Sequence, residues 1–152
     1  MKGTYTYEYP RPAVTADVAI FTPDMSEVLL IRRGNEPYKG HWALPGGFMD
    51  MDETLYQCAT RELKEETDIE ADCLWEIGAF SKVDRDPRGR TITVAYYGFA
   101  HKATDIRALD DAAEIAWHKI SELPPLAFDH KEIIEKALAK AECNRNLTAQ
   151  PK

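Results

Sequence analysis

Gly46-Gly47-Phe48-Met49-Asp50-Met51-Asp52-Glu53 runs through Thr54 into Arg61-Glu62-Leu63-Lys64-Glu65-Glu66-Thr67-Asp68-Ile69, the stretch with the densest chemical pattern in the chain. Its spacing predicts a helix from about Glu53 to Thr67, with Tyr56, Ala59 and Leu63 on the stripe that anchors it to a sheet. At about 100° per residue, with Glu62 as zero, Glu66 lies near +40° and Glu65 near −60°, so three carboxylates share roughly a 100° arc. Glu62 and Glu66 are a like-charge i,i+4 pair, which costs a bare helix a few tenths of a kcal/mol, roughly. Hard divalent cations want such an oxygen cluster. Three glutamates alone also read as a solvated acidic face relieved by Arg61 and Lys64. The preceding residues change that reading. Adjacent Gly46 and Gly47, after Pro45, permit backbone closed to other residues and let a carbonyl approach a metal or phosphate.

Outward from this stretch, the 152-residue chain has the length of one domain, with 44% hydrophobic and 30% charged residues, the balance of a globular protein with its own core. The net charge of −7 argues against a sequence-tolerant nucleic-acid binder. It does not exclude a small anionic substrate, because bound divalent metal inverts the local field. Cys58, Cys73 and Cys143 are scattered and odd in number, which reads as reduced thiols without a zinc site. The first residues carry no apolar run and no stretch approaches a membrane span, so the expected location is the cytoplasm, with no membrane partner.

Val14, Ala16, Val18 and Ile20 alternate with Thr15, Asp17 and Ala19, the period of a strand. A turn at Thr22-Pro23-Asp24-Met25-Ser26 leads to a short apolar strand from Val28 to Ile31. Two further strands are expected from Leu74 to Val83 and from Thr91 to Ala100, and a short one from Ile115 to His118. A second helix starts after Pro124-Pro125, where Asp129 and Glu132 have capping-box spacing, and places Ile133, Ile134, Ala137, Leu138 and Ala141 on one face. The expected organisation is one α/β domain over residues 1–143, followed by a polar, disordered tail over 144–152.

Gly47, then Glu53 after five residues, then the run from Arg61 to Ile69 after seven, resembles the Nudix box of the Nudix hydrolases. Each constrained position matches except Asp68, where that family has glycine. Glycine there would be a left-handed helix C-cap, and aspartate tolerates that conformation better than most residues. The substitution falls past the last glutamate, so a small stability cost and intact chemistry are expected. The resemblance implies an α/β/α sandwich with a mixed central sheet. It implies Mg²⁺ (or Mn²⁺) held by Glu62, Glu66 and Glu65, with a carbonyl of Gly46 or Gly47. It also implies a supporting Arg61–Glu53 ion pair. The family's reaction splits a nucleoside diphosphate linked to another group, using water whose proton a carboxylate accepts. Glu65 and Glu62 are candidate bases inside the box, and Asp110, Asp111 and Glu114 are candidates outside it.

The segment Asp84-Arg85-Asp86-Pro87-Arg88-Gly89-Arg90 is the second chemical feature. Arg85, Arg88 and Arg90, with Asp84, suit the gripping of phosphate or ribose oxygens. They also suit a charged β-turn whose acids and bases pair with one another. The stretch is similar to that of ADP-ribose pyrophosphatases and of Nudix-related regulators that sense ADP-ribose. Tyr9-Pro10-Arg11-Pro12 and Leu126-Ala127-Phe128-Asp129-His130 resemble the same group. The implied substrate is ADP-ribose, cleaved to AMP and ribose 5-phosphate. The alternatives are a sanitising hydrolase of oxidised nucleoside triphosphates (8-oxo-dGTP type) and a non-catalytic ADP-ribose-sensing domain. Phe48 reads either as a substrate contact or as a buried anchor of the glycine loop. Trp42 and Trp117 read as packing, and His130 as a surface or capping residue. Arg32 and Arg33 read either as facing the phosphates or as solvated. Members of the group pair as homodimers, which makes Tyr5, Tyr7 and Tyr9 the expected interface.

Overall fold

The computed structural model describes residues 4–102 and 112–149. Asp110 and Asp111 lie outside them. The elements in chain order are β1 (Ala13–Phe21), β2 (Glu27–Arg33), β3 (Trp42–Ala43), β4 (Gly46–Phe48), α1 (Leu55–Thr67), β5 (Trp75–Phe80), β6 (Thr91–Phe99), β7 (Ala112–Lys119) and α2 (His130–Thr148), with a single 3₁₀ turn before α2.

The seven strands among the described residues join one mixed sheet. β1 and β6 run parallel in unbroken register from Ala13 opposite Thr91 to Phe21 opposite Phe99. β2 pairs antiparallel with β7 along its length. β1 and β2 themselves meet only where Phe21 faces Val28, and then diverge. The short strands fill the resulting wedge: β3 pairs with Ile31 and Arg32 of β2, while β4 pairs with residues 15–17 of β1. The glycine pair expected to form a loop is thus a strand whose Gly46 stands opposite Asp17.

One helix covers each face, as the sandwich requires. Cys58, Ala59 and Leu63 of α1 pack on Ala16, Val18, Ile20, Leu29 and Tyr96. Ile133, Ile134, Ala137 and Ala141 of α2 pack on Ala19, Phe21, Val28, Leu30 and Tyr97. Trp117 and Trp42 are half-buried against these two clusters, in packing roles. Tyr56 is 43% exposed and not part of the anchor expected of it; Cys58 takes its place because the buried stripe lies closer to Cys58, Ala59 and Leu63.

The helix ends refine the sequence reading. α1 begins at Leu55, two residues after the expected start, where Thr54 and Gln57 form a reciprocal capping box. It ends at Asp68, whose φ of 57° is the left-handed cap expected there. Asp129 is the N-cap of α2 but makes no capping hydrogen bond, because Arg85 takes both its carboxylate oxygens. The helix runs to Thr148, through the segment expected as a disordered tail. Asn144 donates to the Tyr97 hydroxyl at 2.6 Å, which ties this last part to the sheet.

Candidate active site

The wedge between β1 and β2 opens into a cleft of about 360 Å³. Gly46, Gly47 and Phe48 form one wall, Glu62 and Glu66 of α1 project into it, and Arg33, Arg85, Asp86, Arg88, Phe128 and His130 close the other side. Gly46 needs its missing side chain: a Cβ there would collide with the Ala16 carbonyl and the Asp17 carboxylate. At Gly47 a Cβ would occupy the position of the Glu62 carboxylate.

Arg61 organises the acidic helix. Its guanidinium grips both oxygens of Glu53, at 2.9 and 2.6 Å, the expected supporting pair. It also donates to Glu62 at 2.8 Å, to Glu65 at 3.1 Å and to the Phe48 carbonyl at 3.2 Å. The Arg61 hydrogen bonds hold the Glu53 carboxyl down at about 2. Burial pushes Glu62 above the usual carboxylate range in spite of Arg61. Glu66 is pushed up to about 8, chiefly by burial, with the like charges of Glu62 and Asp17 adding to it. Its carboxylate accepts from the Gly46 N–H at 3.0 Å. The Gly47 carbonyl accepts from the buried Cys58 thiol at 3.7 Å, and burial raises that thiol to about 12.

Among the described residues no three His, Cys, Asp or Glu side chains converge as a ready-made ligand set. Arg61 holds Glu62 and Glu65, and Glu66 lies on the Gly46 amide. A divalent cation nevertheless suits the Glu62–Glu66 pair, two neighbouring carboxylates that burial makes costly to ionise without a counter-charge. Mg²⁺ keeps several waters and takes only one or two carboxylates together with substrate phosphates. Two half-buried glutamates therefore meet the protein's share. Glu65 is more exposed, with its side chain 45% accessible.

The segment 84–90 divides. Arg85 is buried and paired bidentately with Asp129, at 2.7 and 3.0 Å. Arg88 grips Asp86 at 2.7 Å and lies over the rings of Phe48 and Phe128, at 4.8 and 5.5 Å. Asp84 is exposed, and Arg90 turns away to the carbonyls of Ser81 and Lys82; neither lines the cleft. Phe48, 44% exposed, sits at the cleft mouth and is not the buried anchor of the alternative reading. Arg33 reaches into the cleft with its guanidinium 5.0 Å from the Phe128 ring centre, whereas Arg32 points outward to Glu114. Glu114 is thereby placed outside the cleft lining.

Among the ionisable residues lining the cleft, the sequence does not single out Asp17 and assigns His130 elsewhere. Asp17 is buried, and its carboxylate accepts from Thr93 at 2.6 Å. The available signal was a lone charge in an otherwise apolar strand, which must find a partner when both faces are covered. His130, expected as a surface or capping residue, is only 3% exposed. It lies at the first turn of α2 facing inward, its ring lodged between Leu44 and Asp17. Burial lowers its pKa, which keeps the ring neutral near pH 7.

Residues 11–137 match the NUDIX domain family. The chain belongs to the Nudix family. Among curated Nudix relatives it is 41% identical over 127 residues to the ADP-ribose pyrophosphatase of Methanocaldococcus jannaschii, covering 84% of this chain and 73% of that protein. It is 35% identical over 150 residues to the ADPR responsive transcriptional repressor NtrR of Acinetobacter baylyi, covering 95% of this chain. The chain spans 60% of that repressor's length. Among solved structures, the NUDIX domain of Shewanella oneidensis NrtR complexed with ADP ribose superimposes with a TM-score of 0.80 at 31% identity, over 88% of this chain and 90% of that one.

Proposed function

We infer that the chain is a divalent-metal-dependent pyrophosphohydrolase that cleaves ADP-ribose to AMP and ribose 5-phosphate. One observation carries this reading: the half-buried Glu62 and Glu66 share a single cleft with Arg33 and Arg88 and with the rings of Phe48 and Phe128. Carboxylates for a cation, cations for phosphate oxygens and flat apolar surfaces for a base or ribose are the three recognition chemistries of a nucleoside diphosphate derivative.

Glu62 and Glu66, with Glu65 in support, would hold Mg²⁺ or Mn²⁺, which when bound would supply neutralisation of the diphosphate charge and a lower pKa for the attacking water. Arg61, fixed by Glu53, holds the glutamates in position. A water oxygen bonds to one phosphorus while the anhydride P–O bond breaks, and the bridging oxygen leaves with the other phosphate. Glu62 or Glu65 accepts the water's proton. Arg88, freed from Asp86, meets the charge of the diphosphate, and Arg85 supports the site from beneath through Asp129.

The test is a panel of ADP-ribose, other nucleoside diphosphate derivatives and 8-oxo-dGTP with Mg²⁺ or Mn²⁺, with the products identified. AMP and ribose 5-phosphate in equal amounts support the reading. Preferential pyrophosphate release from the triphosphate would replace it with the sanitising reaction. A second reading, ADP-ribose sensing, is favoured by the repressor's match along 95% of the chain. Calorimetric binding of ADP-ribose with metal present and no turnover would establish it.

A further inference from the structure

The backbone over residues 44–46 is fastened at three successive points. The Leu44 N–H donates to His130 Nδ1 at 2.9 Å, the Pro45 carbonyl accepts from the Val18 N–H at 2.8 Å, and the Gly46 N–H donates to Glu66 at 3.0 Å. Leu44 lies beyond the end of β3 and is 2% exposed, so its amide has left the strand ladder in a place where an unpaired N–H is costly. Pro45 has no N–H, and its ring fixes φ, so the peptide on one side of it transmits its position to the other. Donation into Nδ1 places the His130 proton on Nε2, which faces Asp17 Oδ1 at 3.6 Å. Asp17 is held in turn by Thr93. Arg85, clamped on Asp129, sets the start of the helix that carries His130.

We propose that His130 is a positioning residue: its Nδ1 fixes the Leu44–Pro45–Gly46 backbone and thereby the Gly46 N–H that orients the Glu66 carboxylate. It is no base for the reaction, because it is enclosed and its Nδ1 lone pair is engaged by Leu44. The role rests on the proposed hydrolysis only in so far as Glu66 serves it. It also predicts behaviour of the metal-free protein that hydrolysis does not enter.

Three variants of the full chain separate this role from simple packing. His130→Asn places an amide oxygen where Nδ1 stood and keeps the acceptor; His130→Gln carries its polar atoms to the Nε2 position and loses it; His130→Ala loses both. Hydrogen exchange at the Leu44 amide of the metal-free protein, Mn²⁺ affinity by electron paramagnetic resonance, and kcat and KM for ADP-ribose are read on each. Expected for the Ala and Gln variants are faster Leu44 exchange, weaker Mn²⁺ binding and kcat lower by about 10–100-fold, the range for outer-shell partners, with KM nearly unchanged. His130→Asn should restore all of these to near wild type. If Asn is as impaired as Gln, or if Gln frees the Leu44 amide yet leaves Mn²⁺ affinity and kcat unchanged, the proposal is overturned. Should His130→Ala fail to fold, the Asn and Gln pair decides alone. Should the wild type leave ADP-ribose intact, the functional reading fails, and exchange with Mn²⁺ affinity still decides this one.

Discussion

Two regions face each other across the cleft, and they are built on different physical plans. The segment from Gly46 through α1 is local: its carboxylates lie within one helical turn, and Arg61 binds Glu53 eight residues away. The opposite wall is assembled from distant pieces, with Arg85 held by Asp129 and His130 by Leu44. Spacing alone discloses a local plan. A non-local one becomes visible only when the chain is folded. The difference also separates roles, since the first wall holds negative charge to be neutralised and the second holds cations, some already neutralised.

The largest effect that would break this comparison is expected at Glu66→Gln, which should lower kcat on the order of a thousandfold. The metal-free variant should melt no lower than wild type, because burial already makes ionising Glu66 unfavourable. An activity near wild type would remove Glu66 from the metal site. Arg85→Ala comes next, and its effect should be on stability, because it leaves Asp129 without its partner. A loss of about 3 kcal/mol in urea denaturation is expected, the lower end for a broken buried ion pair, because Asp129 is only partly enclosed. A pure KM effect with unchanged stability would instead make Arg85 a direct substrate contact.

Arg88→Ala should raise KM for ADP-ribose by about tenfold, the worth of one charged hydrogen bond, and should also lower stability, because it leaves the buried Asp86 carboxylate without its guanidinium partner. Acid sharpens the comparison from the other side. Glu53 has its pKa depressed from 4.5 to about 2, so its stabilising pairing with Arg61 is present above pH 4.5 and lost as pH falls towards 2. The stability difference between wild type and Glu53→Gln, by denaturant titration without metal, should shrink over that window; a constant difference would contradict the pairing. The smallest effect is expected at Arg90→Ala, within about twofold in kcat/KM, since an exposed contact to backbone contributes little. A loss equal to that of Arg88→Ala would place Arg90 in the cleft after all.

The reach of the sequence follows the same line. Glu62, Glu65 and Glu66 lie within little more than one helical turn, where geometry follows from the rise and twist of a helix, so the acidic wall was legible from spacing, while the Arg61–Glu53 clasp was expected only from the family resemblance. The strands β1, β2 and β6 were legible for a similar reason, their apolar periods being local. Three arginines on one loop were not separable by type. Only the fold sends Arg85 inward to Asp129, leaves Arg88 at the mouth and turns Arg90 away. The α2 cap was misread because Asp129 has two claimants, and a bidentate buried guanidinium outweighs one backbone N–H.

By itself, then, the sequence determined the helix with its clustered carboxylates and its left-handed end at Asp68, because each depends on neighbours along the chain. The tertiary structure decided that Gly46 is a strand residue against Asp17, that Asp17 and His130 are buried, and which cations line the cleft. The reason is that β1 and β2 diverge after one contact and α2 covers the wedge between them, an arrangement encoded in no single stretch.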